Sequence, residues 1–306
     1  MTDNRAPDEQ HPRALLIGAA WGGLAALIWA GWMVFTRMGV QLSLNAYDIA
    51  ALRFGVAGLV LLPVVLRRGI SVGKAGWPGA LVLATGAGAP YVIVAASGLT
   101  FASAGHAGAL IPGAMPLFAT LLSLALLAER LSKSQSGGLA LIVGGILLIA
   151  GPGVFTGTGE EWIGHIMFLL AAFMWATFTV AMRGWGVSPL RATAIVSVVS
   201  MVLYLPIYFA FLKPQLITAP ASEVLFQAFY QGVLVTVSLL SYSRAVAILG
   251  AARGSVFAAL VPVLAAVIAI PVLGEWPSFS DCAAILAVTL GVFCAAGARL
   301  RAVKPH

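Results

Sequence analysis

Long apolar stretches, separated by short polar or glycine-rich breaks, run through most of this chain of 306 residues. Several of them reach the roughly 18 to 20 residues that a helix needs to cross a bilayer. Only 9% of the residues are Asp, Glu, Lys or Arg, against about 25% in an ordinary soluble domain. The stretches are continuous rather than alternating with polar residues, which disfavours an outer-membrane barrel. The sequence therefore predicts an all-α integral membrane protein.

Polar and turn-rich breaks divide the chain into ten predicted spans. Their approximate bounds are 14–36, 46–66, 77–98, 102–127, 136–153, 162–183, 192–212, 222–243, 251–273 and 281–299. The weakest boundary is the Gly/Ser/Thr-rich stretch 98–103, where a fused hairpin would reduce the count to nine.

The basic residues decide both the count and the orientation. With ten spans and a cytoplasmic N-terminus, fourteen of the seventeen bases fall on the cytoplasmic side. These are Arg5, Arg13, Arg67, Arg68, Lys74, Arg130, Lys133, Arg183, Arg191, Arg244, Arg253, Arg299, Arg301 and Lys304. Because cytoplasmic loops carry an excess of Lys and Arg, we expect both terminal tails, residues 1–13 and 301–306, in the cytoplasm. This topology accounts for the net charge of +7, so we expect no nucleic-acid partner.

An internal repeat at a constant offset of 146 residues relates residues 14–153 to residues 162–300. Trp29 and Arg37 align with Trp175 and Arg183. The same offset places Gly108, Pro116, Leu127, Glu129, Ser132, Ser134, Gly145 and Gly151 on Gly254, Pro262, Leu273, Glu275, Ser278, Ser280, Gly291 and Gly297. Since each repeat has five spans, an odd number, we expect the second repeat to be inverted. Inverted repeats typically open a midplane site to alternate sides, so the pattern favours a transporter over a duplication without functional meaning.

Two related motifs carry a family likeness. The first is the apolar helix with Pro116, followed by the sequence Leu126 to Leu131, by Gln135 and by a glycine-rich helix. Its copy contains Pro262, Gly274, Glu275 and Gly291, and departs from the pattern at Trp276, Pro277 and Asp281. The chain resembles the ten-helix EamA-type permeases of the drug/metabolite transporter superfamily over roughly residues 14 to 300. The resemblance implies export of amino acids or other small metabolites, with uptake as an alternative.

The eighth predicted span holds the most suggestive polar residues. Gln227, Gln231, Ser238 and Tyr242 follow helical steps of 4, 7 and 4, with Tyr230 alongside. Such a stripe shares one helix face and could line a wetted path, with Tyr230, Gln231 and Ser238 binding substrate. Hydrogen bonding between helices is the competing explanation.

Aromatic residues and prolines supply further candidates. Trp29 and Trp175 lie within spans, where they could wall a cavity or simply pack, and Tyr91 follows Pro90 in the third span. Proline removes a backbone hydrogen bond and disfavours helical conformation before it. Kinks, and with them gating or hinge positions, are therefore predicted at Pro90, Pro112, Pro116 and Pro262.

Charged and titratable residues inside the spans are few. His106 is a candidate for substrate binding and for coupling transport to protons, although a neutral histidine bonded to a neighbouring helix would look the same. Arg53 either snorkels or pairs, or binds a substrate carboxylate. Glu129 and Glu275 fit helix capping or contacts between repeats. The four histidines are dispersed and metal-binding motifs are missing from the sequence, so we expect neither metal nor cofactor.

The sequence thus predicts an inner-membrane permease that is not an enzyme. It would export small metabolites by alternating access, with amino acids or analogues as the expected class, acting within the lipid bilayer as a monomer or weak homodimer. Uptake, or export of drugs or vitamins, is the alternative. A more distant one is an intramembrane hydrolase using Ser97 or Ser103 with His106, for which the motif of a nucleophile elbow is missing.

Overall fold

A computed structural model describes residues 12–127, 132–156 and 159–302. These residues form helices and turns, with one isolated β-bridge between Val72 and Gly76 and no strand. The helices are α1 (Pro12–Gln41), α2 (Ala46–Arg68), a 3-10 turn (Gly73–Ala75), α3 (Gly76–Ala87), α4 (Ala89–Phe101), α5 (Ala104–Leu127), α6 (Lys133–Thr156), α7 (Glu161–Gly184), α8 (Pro189–Phe211), α9 (Ala221–Gln227), a π-helix (Ala228–Leu234), α10 (Val235–Leu249), α11 (Ala251–Ala259), α12 (Val261–Leu273) and α13 (Phe279–Ala302).

Each of the ten predicted spans coincides with a helix or with helices joined end to end. Eight helical segments of the described chain are long and apolar enough to cross a membrane, and the apolar helices Val261–Leu273 and Phe279–Ala295 are shorter. The weakest predicted boundary is a helix end, because α4 stops at Phe101, Ala102 is extended and α5 begins at Ala104. The third and fourth predicted spans are therefore separate helices.

Three of the predicted spans are interrupted close to prolines. The fifth breaks near its end at Gly151, just before Pro152, where φ is 55° and ψ is −168°. The third divides at Gly88, whose φ of −93° and ψ of −148° are not helical, and Pro90 lies in the first turn of α4. The ninth divides at Leu260, and Pro262 lies in the first turn of α12. By contrast, α5 runs as one helix through Pro112 and Pro116, with α7 and α12 packed against it.

The packing of the helices follows the repeat. α5 packs against α7 and α1 against α12, α4 packs against α7 and α1 against α10, while α2 pairs with α8 and α6 with α13. Under the offset of 146 residues the first two pairings exchange with each other, as do the third and fourth, and the last two map onto themselves. The two repeats are therefore arranged with approximate twofold symmetry.

Glycines bring α6 and α13 into backbone contact. A Cβ atom added at Gly291 would lie 2.7 Å from the carbonyl oxygen of Gly138 and 2.9 Å from the backbone nitrogen of Ile142. A Cβ atom at Gly138 would lie 2.7 Å from the Gly291 carbonyl oxygen. Small residues let membrane helices approach this closely, so the contact between α6 and α13 depends on glycine at both positions.

Replacement of Gly291 by leucine should lower the free energy of unfolding by about 3 kcal/mol, the upper end of the usual cost of overpacking, because a backbone clash cannot be relieved by rotating a side chain. Thermal unfolding of the purified protein in detergent measures the effect. Gly144→Leu on α6 is the matched control, since no atom lies within 4 Å of its added Cβ. Equal stabilities of the two variants would contradict the packing of α6 on α13.

Candidate functional site

Polar side chains of α1 meet Gln227, the last residue of α9, and Gln231 of the π-helix inside the bundle. Trp32 Nε1 donates to Gln231 Oε1 at 2.7 Å, and Gln231 Nε2 donates to Thr36 Oγ1 at 2.9 Å. One turn earlier, Gln227 Oε1 accepts from Gln231 Nε2 at 3.2 Å, and Gln227 Nε2 donates to the carbonyl of Phe35 at 2.6 Å. Both glutamines are fully buried. The predicted stripe therefore faces the interior and joins the first repeat to the second.

The π-helix Ala228–Leu234 presents this polar face to α1. Its wider turn accommodates one extra residue, and Tyr230 also points at α1, where its hydroxyl donates to the Ile28 carbonyl at 2.9 Å. A Cβ at Gly31 would overlap that hydroxyl, so the approach requires glycine. Ser238, on the following turns, donates to the Val235 carbonyl of its own helix at 2.6 Å.

Aromatic rings from four helices surround the network. Trp32 stacks on Tyr91 of α4 with ring centroids 6.3 Å apart, and Tyr91 contacts Trp175 of α7 at 5.1 Å. Trp29 contacts Tyr242 of α10, also at 5.1 Å. The equivalent tryptophans of the two repeats thus lie beside the same interior region, each against a tyrosine.

Arg53 of α2 completes this region with a positive charge. Its guanidinium lies over the Trp32 ring at 5.6 Å and near the Phe54 ring at 5.7 Å, and the residue is 9% exposed. An unpaired arginine at the centre of a membrane helix costs about 2.5 to 3.5 kcal/mol, of which contact with the tryptophan face offsets only part. We name Trp32, Arg53, Tyr91, Trp175 and Gln231 the Trp32 cluster.

The nearest acid on α2 does not pair with Arg53. Asp48 Oδ1 accepts hydrogen bonds from the Tyr208 hydroxyl and from the backbone nitrogen of Gln215 at 3.1 Å. Its Oδ2 accepts from the backbone nitrogen of Asn45 at 2.8 Å, which closes the capping box at the start of α2. Asp48 therefore stabilises the start of α2 and the loop that contains Gln215.

The Trp32 cluster lies near the middle of the bundle's depth. The end where α1 and α4 stop and α5, α7 and α13 start is named the Arg37 end. At a rise of 1.5 Å per residue, Arg53, Trp32 and Tyr91 lie about 11, 14 and 15 Å along their helices from that end. Half the thickness of a hydrocarbon core is about 15 Å, so the cluster lies near mid-depth of a bundle that spans such a core.

An ion pair ties the two repeats together at the Arg37 end. The Arg37 guanidinium donates to the Glu275 carboxylate, and it also donates to the carbonyls of Leu99 and Ala102. The second oxygen of Glu275 accepts from the backbone nitrogen of Ala104 at 2.9 Å. Glu275 therefore makes the predicted contact between repeats, while its counterpart Glu129 lies outside the described residues.

Two histidines that the sequence separates by 59 residues are in contact at the same end. His106 Nδ1 lies 3.0 Å from His165 Nε2, and His106 Nε2 lies 3.1 Å from Asp281 Oδ1. An ionised carboxylate only accepts, so His106 Nε2 donates to it. With both rings neutral, His165 Nε2 then donates to His106 Nδ1. This leaves His165 Nδ1 as a bare acceptor, buried and without a hydrogen-bond partner among the described residues.

The expectation that the histidines are dispersed is corrected by this contact, which tertiary packing creates between α5 and α7. Ligand atoms of His106, Glu161 and His165 all lie within 4.8 Å of one another. Because His106 Nδ1 and His165 Nε2 lie at hydrogen-bond distance, the two rings can share a proton.

The serines proposed for hydrolysis do not reach the histidine ring. Ser103 Oγ accepts from the backbone nitrogen of His106 at 3.1 Å and caps α5. The two ring nitrogens of His106 face His165 and Asp281. Within the described part of the chain, no serine hydroxyl is placed for activation by this imidazole.

Comparison with known proteins agrees with the repeat and the fold. The profile of the EamA-like transporter family matches residues 16–151 and, a second time, residues 162–297. The chain belongs to the EamA-like transporter family. Fifteen chains of solved structures also match this EamA-like protein. One, described only as a crystal structure of a protein, has a TM-score of 0.62 and 23% identity, covering 96% of this chain and 98% of that one. That likeness shows the fold, and no curated protein matches the sequence.

As an EamA-like transporter, the protein is a multi-pass membrane protein that carries small molecules. Among its predicted site residues, Tyr91 contacts Trp175, and Trp29 contacts Tyr242. Tyr230 and Gln231 of the π-helix both bond to α1. His106 belongs to the separate histidine pair at the Arg37 end. Sequence reasoning gave less weight to Trp32 and Arg53, because nothing in their local sequence indicates that α1 and α2 meet there.

Proposed function

We propose that this EamA-like transporter exports small metabolites, with amino acids or their analogues as the substrate class, across a bacterial-type inner membrane. In this proposal ten helices cross the bilayer, the second repeat is inverted and both termini are cytoplasmic. The excess of bases at the ends opposite to the Arg37 end supports the topology. The Arg37 end is then the outer face of the transporter.

The observation that carries the proposal is the Trp32 cluster with the hydrogen bonds around it. It is polar and aromatic, lies near mid-depth and takes side chains from both repeats. A purely structural helix contact gains little from placing a cation, two amides and several ring faces together at this depth. In the proposal Tyr91, Trp29, Trp175, Tyr230, Gln231 and Ser238 contact the substrate.

Alternating access needs places at which the helices can bend. Gly88 with Pro90, and Leu260 with Pro262, interrupt the third and ninth spans. At the 146-residue offset Gly88 corresponds to Leu234, where the π-helix ends. We assign hinges to these positions, with Pro112 and Pro116 as bending points inside α5.

Flux of radiolabelled amino acids across proteoliposomes of the purified protein tests the proposal. We expect saturable flux of at least one amino acid, above that of liposomes without protein. If no amino acid is carried, the proposed substrate class is wrong, and vitamins and drugs become the next compounds to measure.

Protons are the proposed coupling ion, through His106. The groups facing its ring are His165 and Asp281, and Glu161 lies close to the pair. Glu275, from the loop before α13, accepts a hydrogen bond from Ala104 at the start of α5. An inward-directed proton gradient should stimulate wild-type efflux several-fold. In His106→Gln we expect flux to persist without stimulation, whereas Thr100→Ala, an exposed change at the same end, should respond as wild type does. A full response in His106→Gln, with a chelator present throughout, would contradict the coupling.

A further inference from the structure

Arg53 is a buried cation for which the structure supplies no anion. Within residues 12–127, 132–156 and 159–302, its guanidinium contacts the Trp32 and Phe54 rings and interacts electrostatically with Tyr91. The ion pairs of these residues do not include it, and none of its donors has a hydrogen-bond acceptor there. Both oxygens of Asp48, one helical turn and a half away, are occupied by other donors. A charged group held at this depth is ordinarily paired or functional.

We propose that Arg53 binds the carboxylate of the transported substrate within the Trp32 cluster. This inference rests on the proposed transport function and names the chemical group by which the substrate is recognised. A guanidinium offers its donors as a planar fork that matches the two oxygens of a carboxylate. Binding satisfies the donors that the protein leaves unpaired, so the interaction is made only when substrate is present.

The remainder of the cluster defines the rest of the substrate. The ring faces of Trp32, Tyr91 and Trp175 suit an apolar or aromatic body, and they also suit an ammonium group. A single buried cation balances a single negative charge. The substrate is therefore a small monocarboxylate, including zwitterionic amino acids, and not a multiply charged phosphate compound or a cationic drug.

The position of the cluster explains how binding can accompany movement. Trp32, Arg53 and Tyr91 belong to the first repeat, while Trp175 and Gln231 belong to the second. In the structure the rings contact one another and Gln231 bonds to Trp32. Rocking of one repeat against the other separates these partners and exposes the guanidinium to an entering carboxylate.

Competition between matched pairs of compounds tests the assignment. In proteoliposomes, L-phenylalanine should have a kcat/KM at least about tenfold above that of L-phenylalaninamide, because the amide leaves the guanidinium without its anion. The preference should shrink to within about twofold in Arg53→Gln and be intermediate in Arg53→Lys. Arg67→Gln, which removes the same charge from the exposed end of α2, should retain the wild-type preference. An unchanged preference in Arg53→Gln would overturn the proposal.

Thermal stability separates recognition from a structural role. If Arg53 serves substrate, Arg53→Gln without ligand should unfold at the wild-type temperature or above it, because an unpaired buried charge is removed. A clear fall in unfolding temperature together with lost transport would assign Arg53 to structure and overturn the proposal.

The same measurements distinguish failure of the role proposed for Arg53 from failure of the proposed amino-acid transport. If no amino acid is carried but benzoate or phenylacetate stabilises wild type more than Arg53→Gln, the amino-acid class fails and the role of Arg53 stands. If amino acids are carried equally well by Arg53→Gln, the function stands and the role of Arg53 fails. If neither L-phenylalanine, benzoate nor phenylacetate stabilises wild type more than Arg53→Gln, the assignment of Arg53 to carboxylate binding is wrong.

Discussion

Replacement of Gln231 by alanine should reduce amino-acid flux at least about tenfold, the largest effect we expect from a single side chain in the interior. The change removes a proposed substrate contact and leaves the buried Trp32 Nε1 without its acceptor. A buried donor left unpaired costs about 1 to 3 kcal/mol, so the variant should also unfold at a lower temperature. Flux per molecule of monodisperse protein in proteoliposomes is the measurement.

One further variant separates the hydrogen bonds of Gln231 from its volume, and another is a surface control. Gln231→Met keeps most of the side-chain volume but none of its hydrogen bonds, and should lose flux as the alanine variant does. Ser243→Ala removes an exposed hydroxyl that bonds only to the Leu239 carbonyl of its own helix, and should leave flux unchanged. Wild-type flux in Gln231→Ala would contradict the assignment of the eighth span to the transport path.

Neutralising Glu275 should have the second largest effect, about tenfold on flux, because its carboxylate joins the second repeat to Arg37 and to the start of α5. Without it the Arg37 end is expected to stay open, so the transporter completes fewer cycles. A double-mutant cycle measures the coupling. Glu275→Gln, Arg37→Gln and the double variant should all lose similar amounts of flux, since each breaks the same ion pair.

Additive losses in that cycle would show that the two residues act independently and would contradict a shared closing contact. Trp276→Ala is the control, since this exposed neighbour of Glu275 should change flux little. The offset of 146 residues places Arg183 and Glu129 at the equivalent positions of the other repeat, and Glu129 lies outside the described residues.

The sequence predicted those features of the fold that depend on hydropathy and helical spacing. The helix positions follow from the apolar runs, and the buried face of Gln227, Gln231 and Ser238 follows from their spacing. The break in the third span was predicted from Pro90 and occurs at Gly88. Such features are local, because each depends on residues within one or two helical turns.

The contacts that assemble the site could not be predicted in the same way. Trp32 and Gln231 are 199 residues apart, and Arg37 and Glu275 are 238 apart. Whether such residues meet depends on how the repeats pack. The π-helix adds a second reason, since one extra residue in the turn changes which side chains face α1, and no spacing rule for an α-helix contains it.

A reversible cross-link at the Arg37 end tests most directly whether the repeats move against each other around the Trp32 cluster. Ser103→Cys and Trp276→Cys flank the contact between Ala104 and Glu275, in a background in which the free cysteines Cys282 and Cys294 are replaced. A short thiol-specific cross-linker that can be cleaved by a reducing agent should lower flux at least about tenfold, and cleaving the cross-link should restore the flux. Flux at the uncross-linked rate while the bridge is intact would contradict alternating access by these repeats.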